Sequence, residues 1–361
     1  MRVCFVCPNA ASIFLPGLPP THGGAEAQLS WFSKELAKYP DTEVHMILKG
    51  DPNSGPQKIH NVNCHFTRHG KGLVQKIRFQ KLLKQIAPDF CIQQSIGSVT
   101  KEVGFFCMWH PCKFIYWIGS DKDIDPNLRD PKVRRGFWFD WGFKRAHYYI
   151  AQTKHQQNIL KDTWKKKSTI IRNGFPFRPR PERKRDIVLW VGRFVPVKRP
   201  ELFIALAKSI PEERFYMIGP VTNQVSQECF SEIAPLMKGV GNLEYNSGVS
   251  LDEIGEYFDR AKVLVNTSIL EGFPNTFVQA MWSGTPIASY NFDADGLIAE
   301  RELGCGPVSD LDRFTESIRR LLNDQDRWTH CSINARTLAE DQFNIKINTE
   351  RLYKLLQGLF S

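Results

Sequence analysis

Two stretches of this chain gather cations, glycines and one acidic residue beside helix starts, a combination suited to phosphate groups. The first is Val191-Gly192-Arg193-Phe194-Val195-Pro196-Val197-Lys198-Arg199-Pro200. Arg193 and Lys198 flank a tight loop, and a diphosphate bound without a metal needs cations on both sides. The second covers 270–286, Leu-Glu-Gly-Phe-Pro-Asn-Thr-Phe-Val-Gln-Ala-Met-Trp-Ser-Gly-Thr-Pro. Glu271 precedes a Gly272/Pro274 turn, and a helix begins near Thr276 whose free N–H groups suit a phosphate or a sugar hydroxyl. Gln279 lies one turn inside, its side chain turned back toward the loop, and Gly284 and Pro286 mark the helix end and the next strand. A third element is Gly23-Gly24, between His22 and Ala25-Glu26. Paired glycines allow close backbone approach to a ligand at a helix start. The segment has neither the G-x-G-x-x-G spacing nor the G-K-S/T of a P-loop. Singly, the Gly-Gly reads as a turn and the Arg–Lys pair as solvated charge; the full 270–286 set is hard to produce by chance.

The elements that must position these residues alternate along the whole chain. Strands are predicted at 2–7, 43–48, 63–66, 89–93, 114–118, 148–152 and 168–172, with helical periods at 25–37, 74–86, 132–145 and 154–161. Alternation of this kind implies βαβ units and an open, doubly wound parallel sheet. The segment 176–186 is Pro-rich and charged and reads as a linker. Strands then resume at 187–191, 215–218, 242–245, 263–266 and 286–289. Helices are expected at 201–210, 224–237, 251–261 (opened by a Ser250/Glu253 capping box), 276–282, 310–322, 326–341 and 345–359. The expected organisation is therefore α/β, with two Rossmann-like domains at 1–175 and 187–342, the linker 176–186, and a C-terminal helix at 343–361. Ligands of such sheets bind outside the carboxyl ends of the strands, so the expected site is a cleft faced by both domains.

Composition excludes other classes. The chain has 361 residues, 42% apolar and 24% charged, ordinary values for a folded protein of two domains. No run approaches a membrane span, and the short apolar start does not read as a secretory leader. Nine cysteines, an odd number in mostly apolar runs, agree with a cytoplasmic protein. Cys4 and Cys7 form a C-x-x-C, but within a strand they point to opposite faces, and no second such pair completes a zinc site. The net charge of +10 is uneven: residues 1–180 carry +15 and residues 181–361 carry −5. The first half is expected to face an anionic partner.

Taken together and in order, these segments resemble the retaining glycosyltransferases of the family-4 type, with the GT-B fold. The resemblance extends to 170–174 (Ile-Ile-Arg-Asn-Gly) and 294–304 and covers the whole chain. It implies transfer of a sugar from a nucleotide diphosphate sugar, UDP- or GDP-linked, to a glycan or lipid-linked acceptor, with retained anomeric configuration. It implies two domains facing a central cleft, with the C-terminal helix crossing back to domain one. Arg193 and Lys198 match the family's diphosphate-binding pair. Glu271 matches the first Glu of its E-x7-E motif, at the donor sugar. Phe273, Pro274, Asn275 and Thr276 match the backbone around sugar and distal phosphate, and Gly23 and Gly24 the loop approaching the diphosphate from domain one.

Two positions depart from the family pattern. Gln279 replaces the second Glu, which accepts from ribose hydroxyls; Gln keeps one carbonyl acceptor but no charge. Where many members carry a His after the strand 114–118, this chain has Gly119-Ser120-Asp121, then Asp123 and Asp125. One reading makes these a solvated turn, the other makes Asp121 the group that positions the acceptor or stabilises charge at the anomeric carbon. His110 is expected to end a helix and to be structural. In the mechanism implied, the leaving phosphate takes the acceptor proton, so the enzyme's work is electrostatic and geometric. Asp121-Lys122-Asp123 has the spacing of a metal motif but lies in the first domain; no catalytic metal and no cofactor are expected. Alternatives are a GT-B epimerase, which needs no acceptor, and a phosphorylase, which needs a pyridoxal-phosphate lysine. A basic nucleic-acid-binding protein would need an RNP stretch or helix-turn-helix, and neither is present; no nucleic-acid partner is expected. Lys71, Lys76, Arg78, Lys81 and Lys84 interleave with Leu73, Val74, Ile77, Leu82 and Leu83, and Lys132, Arg134 and Arg135 precede Phe137, Trp138, Phe139 and Trp141. Packing on the sheet accounts for the leucines; the +15 suggests peripheral attachment of domain one to the anionic inner face of the membrane.

Overall fold

The computed structural model describes residues 1–361 except 16–22, 69–71, 98, 129–135, 180–182, 222, 251–252 and 361. The chain divides into two compact units, Met1–Pro176 with Asn344–Ser361, and Phe177–Phe343.

The first unit is built on eight strands: β1 (Arg2–Val6), β2 (Glu43–Lys49), β3 (Gln57–Ile59), β4 (Val62–Thr67), β5 (Phe90–Gln94), β6 (Lys113–Trp117), β7 (Tyr148–Ala151) and β8 (Ser168–Ile170). Their order is β3-β4-β2-β1-β5-β6-β7-β8. All pair in parallel except β3, a short antiparallel edge on β4. Central strands such as Arg2-Val-Cys-Phe-Val read as continuous apolar runs because helices cover both faces. One face packs Leu29, Phe32 and Leu36 of helix Gly24–Leu36 with Leu352 and Leu356 of the last helix, Ile345–Phe360. The other packs Phe79 and Leu83 of helix Leu73–Ile86, Val103 and Phe106 of helix Thr100–Trp109, and Phe143 of helix Gly136–Lys144.

The final helix thus completes the first unit although it follows the second in sequence. Ile345 N–H donates to Phe175 O at 3.0 Å, and Asn348 Nδ2 to Arg172 O at 3.2 Å. A Cβ on Gly174 would stand 2.8 Å from the Ile345 backbone, so this approach requires glycine. Helix Thr100–Trp109 ends at His110, where the sequence places a helix end, although its start was not read. Its aromatic residues are modest helix formers, and its Gly104 serves packing: a Cβ there would lie 3.1 Å from Gly142 O on the neighbouring helix.

The second unit carries β9 (Ile187–Val191), β10 (Phe215–Ile218), β11 (Leu243–Asn246), β12 (Ala261–Asn266), β13 (Ile287–Ser289) and β14 (Gly304–Cys305). All are parallel, in the order β11-β10-β9-β12-β13-β14. The expected linker has more to do than join. Arg178 Nη2 meets Asp259 Oδ2 at 2.9 Å, and Arg185 donates to Thr285 Oγ1 and Ala261 O, each at 2.7 Å. Its charge ties it to the second unit. Ser250 and Glu253 exchange the expected capping bonds, Ser250 N–H to Glu253 Oε2 and Glu253 N–H to Ser250 Oγ, each at 3.2 Å.

Candidate active site

In the second unit the strand order reverses between β9 and β12, which pair directly. Both motif segments leave the carboxyl ends of these two strands, the place where open α/β sheets bind ligands. Thr267 fastens them together. Its Oγ1 donates to Lys198 O at 2.6 Å and accepts from Trp190 Nε1 at 3.0 Å. Ile269 N–H donates to Val197 O at 2.9 Å. The adjoining turn passes so close to β10 that a Cβ on Gly219 would lie 2.6 Å from Gly192 O.

This scaffold brings Lys198 Nζ against Glu271 Oε1 in an ion pair whose side chains are 23% and 12% exposed. Arg193 is exposed and, among the described residues, has no carboxylate partner. Arg199, which sequence reasoning left unassigned, adopts the left-handed conformation (φ 47) as N-cap of helix Pro200–Ser209. Its guanidinium lies 5.1 Å from the Tyr290 ring centre and 3.5 Å from Glu201. Beyond Glu271 the chain enters helix Asn275–Trp282 through Pro274, an N-cap with no side-chain oxygen to offer the first turn. Its leading N–H groups therefore suit an outside anion. Phe273 is buried against Phe343, ring centres 4.8 Å apart, and Thr276 and Gln279 are half-buried. In the 294–304 segment, Asp295 (φ 54) and Gly296 (φ 71) turn the chain. Asp293 accepts from Ile298 and Ala299 N–H, and burial raises its pKa.

In the first unit, Gly23 is the N-cap of helix Gly24–Leu36, and its N–H donates to Glu26 Oε2 at 2.9 Å. A Cβ on Gly23 would sit 3.0 Å from that same oxygen, so the glycine admits the capping carboxylate. His22 lies outside the described residues. His110 is the C-cap of helix Thr100–Trp109 and stacks on Phe106, as a structural histidine would.

Asp121 and Asp123 form no solvated turn, because both are buried. Asp123 accepts from Gly119 N–H at 2.7 Å, Ile96 N–H at 3.3 Å and Ser120 N–H at 3.4 Å. Burial outweighs these bonds and pushes its pKa up to about 6. Asp121 Oδ1 accepts from Gln156 Nε2 at 3.0 Å, and its Oδ2 lies 3.7 Å from His155 Nε2. Gln156 Oε1 in turn accepts from Gln152 N–H, and Gln152 Nε2 donates to Ile118 O at 2.7 Å. The fold therefore sets a histidine, His155, beside Asp121 from a helix 34 residues on. Sequence reasoning missed it; the one available signal was the Thr153–Gln156 capping pair that fixes this helix start.

Residues 172–338 match the model of the family described as glycosyl transferases group 1. Two curated trehalose synthases, from Thermococcus litoralis and Pyrococcus furiosus, are each 24% identical over 65% of this chain. The match spans 62% of their length. Among solved structures, sucrose-phosphate synthase from Thermosynechococcus elongatus superposes with a TM-score of 0.81 at 17% identity, covering 99% of both chains. Anabaena HepE in complex with UDP and glucose gives 0.74 at 16%, covering 99% of this chain and 100% of that one. TarM from S. aureus, in complex with UDP, gives 0.61 at 18%, covering 78% and 58%.

Proposed function

Residues 172–338 being a group 1 glycosyl transferase segment in a chain with the GT-B fold, we propose that the protein moves a sugar from a UDP- or GDP-sugar to a glycan or lipid-linked acceptor, with retention of configuration. The Lys198–Glu271 ion pair at the β9/β12 switch point carries this reading. Arg193 and Lys198 are the cations for the donor diphosphate, and the first turn of helix Asn275–Trp282, with Phe273, Pro274, Asn275 and Thr276, meets the distal phosphate and the sugar. Before the donor arrives, Lys198 holds Glu271. When the diphosphate takes over the ammonium, Glu271 is released to accept from sugar hydroxyls. Gln279 offers the ribose a neutral contact. As the glycosidic bond to the phosphate breaks, the departing phosphate oxygen takes the acceptor's proton on the same face. Arg193 and Lys198 stabilise the charge that develops. Asp121, held by Gln156 and beside His155, orients the acceptor. No metal enters this scheme.

The test is incubation with nucleotide sugars, with and without glycan acceptors, in EDTA. Acceptor-dependent nucleotide release with an α-linked product from an α-linked donor is expected. Release without any acceptor would favour an epimerase, and loss of turnover in EDTA would overturn the metal-free reading. HepE and TarM complexes contain UDP, which supports trying UDP-sugars first.

Attachment to the inner face of the cytoplasmic membrane belongs to the same proposal. No helix among the described residues is long and apolar enough to cross a membrane. Leu83 packs on the sheet, but Leu73 (73% exposed), Val74, Ile77 and, on the adjacent helix, Phe105, Met108 and Trp109 (70% exposed) face outward. Sheet packing therefore leaves most of this apolar set unexplained. Leu73, Ile77 and Phe105 line a groove of about 500 Å³ together with Lys76, Lys81, Lys84 and Lys101. Apolar side chains ringed by lysines complement an anionic lipid surface, each cation contributing ~1 kcal/mol near it. Lys101 also lies 3.5 Å from the exposed Trp138 ring centre. Lys71, Lys132, Arg134 and Arg135 lie outside the described residues. Salt-sensitive pelleting with anionic but not neutral liposomes is expected; equal pelleting with both would remove this attachment.

A further inference from the structure

Four of the nine cysteines converge in the first unit's core, on neither motif segment. Cys4 in β1 lies opposite Cys91 in the β5 register, and the two thiols interact. Cys107 sits in the last turns of helix Thr100–Trp109, and Cys112 immediately precedes β6. A chain of S–H bonds runs from Cys107 to Cys112 and from Cys112 to Cys91, each with sulfurs 3.5 Å apart. The sulfurs of Cys91, Cys107 and Cys112 all lie within 4.8 Å of one another.

These distances match a coordination shell. A tetrahedral zinc–thiolate centre with Zn–S of ~2.3 Å has sulfur–sulfur edges of ~3.8 Å, so small side-chain adjustments separate the observed cluster from that geometry. Cys107 and Cys112 enclose four residues, within the usual C-x2–4-C chelate spacing. All four thiols are buried; among the described residues Cys91, Cys107 and Cys112 are the one group of metal-ligating side chains that meets this closely, with Cys4 beside Cys91. Sulfur ligands without a carboxylate select a soft ion over magnesium or calcium. Cys7, which follows Cys4 in the C-x-x-C, belongs to the opposite face of the sheet.

We propose that Cys91, Cys107 and Cys112, with Cys4 as the fourth ligand, form a structural thiolate site for a soft d10 cation, zinc being the first candidate. Binding exchanges the four S–H protons for the ion, with no change of oxidation state. The site fastens helix Thr100–Trp109 to β1, β5 and β6, and because Cys112 lies at the amino end of β6 it is remote from the carboxyl edge where Asp121 stands. It is independent of the transfer reaction proposed above, and its test reads metal content rather than turnover.

The full chain is purified without chelator and its metal measured by plasma mass spectrometry. It is then stripped, unfolded and refolded with cadmium, following the ultraviolet thiolate-to-cadmium charge-transfer band. One ion per chain and a band saturating at one equivalent are expected. Cys107→Ser and Cys112→Ser should lose the band, while Cys229→Ser and Cys305→Ser in the second unit keep it. Should the first two variants not fold, the wild type decides: stripping should lower the first unit's melting temperature by several degrees, and zinc should restore it. A refolded wild type that takes up neither zinc nor cadmium, or a band that survives in Cys107→Ser and Cys112→Ser, would overturn the site and leave a packed thiol core.

Discussion

The two units share one architecture, a parallel sheet with helices on both faces, yet they assemble polar groups at the carboxyl edge in different ways. In the second unit the candidate site comes from two contiguous segments that leave neighbouring strands, and Thr267 joins them. In the first unit the corresponding edge is a buried network, Asp121 after β6 with Gln152 and Gln156 after β7, and the exposed His155 stands at its margin. A site made of contiguous segments keeps its functional side chains few and half-exposed, whereas a network shares each side chain between structure and chemistry. Substitutions should therefore separate binding from folding cleanly in the second unit and poorly in the first.

The sharpest break is expected at Lys198. Lys198→Ala should lower turnover by about 2–4 kcal/mol, the scale of removing one preorganised charge, with little loss of stability because the ion pair it breaks is partly solvated. Wild-type turnover would remove Lys198 from the donor site. In the first unit the same operation should look different. Asp123→Ala frees three backbone N–H groups in a buried turn and should cost about 2 kcal/mol of stability by denaturant unfolding. Asp121→Asn, which keeps an oxygen for Gln156, should fold normally and reduce turnover roughly tenfold. An unfolded Asp121→Asn would assign that residue to structure instead.

Acid should also separate the units. In the first, burial and the nearby His45 hold the His65 pKa down to about 4, below the ~6.5 of an unfolded histidine. The unfolded chain binds that proton more readily, so this contribution is whole above about pH 6.5 and is lost as pH falls toward 4. Asp123, raised to about 6, acts oppositely, its burial penalty easing as pH falls from about 6 toward its unfolded value. In the second unit a hydrogen bond from Arg260 lowers the Asp186 pKa, and that support is lost only as the carboxylate itself protonates, at more acid pH. Calorimetric scans from pH 7 to 4 should show the first unit losing stability first, and Asp123→Asn should steepen that loss. Simultaneous loss in both units would contradict the assignment. The smallest effect belongs to Gln279→Glu, expected to change nucleotide affinity by less than about 1 kcal/mol because a ribose contact only exchanges a neutral acceptor for a charged one.

The same contrast explains what was legible in the sequence. The parallel sheets, nearly every strand and the second unit's segments could be read, because apolar periods and helix-start residues are local signals. Helix 224–237 was placed to the residue. The Asp121–Gln156 bond spans 35 positions and leaves no local trace, nor does the meeting of Cys4 and Cys91 with Cys107 and Cys112. The bonds of Arg178 and Arg185 in the expected linker leave no local trace either, because their carboxylate, carbonyl and hydroxyl partners lie 76 to 100 residues away. Outward-facing Leu73 and Ile77 were unreadable too, because composition does not say which face of a helix meets the sheet.

The central claim is that the second unit holds a nucleoside diphosphate through Arg193 and Lys198 beside Glu271. Calorimetric titration of UDP and GDP into the wild type, Arg193→Ala, Lys198→Ala and Glu271→Ala tests it most directly. The account predicts that one nucleotide binds the wild type, that each cation variant weakens it at least tenfold, and that Glu271→Ala binds it as well as wild type while failing to turn over. Nucleotide affinity unchanged in both cation variants would contradict the account.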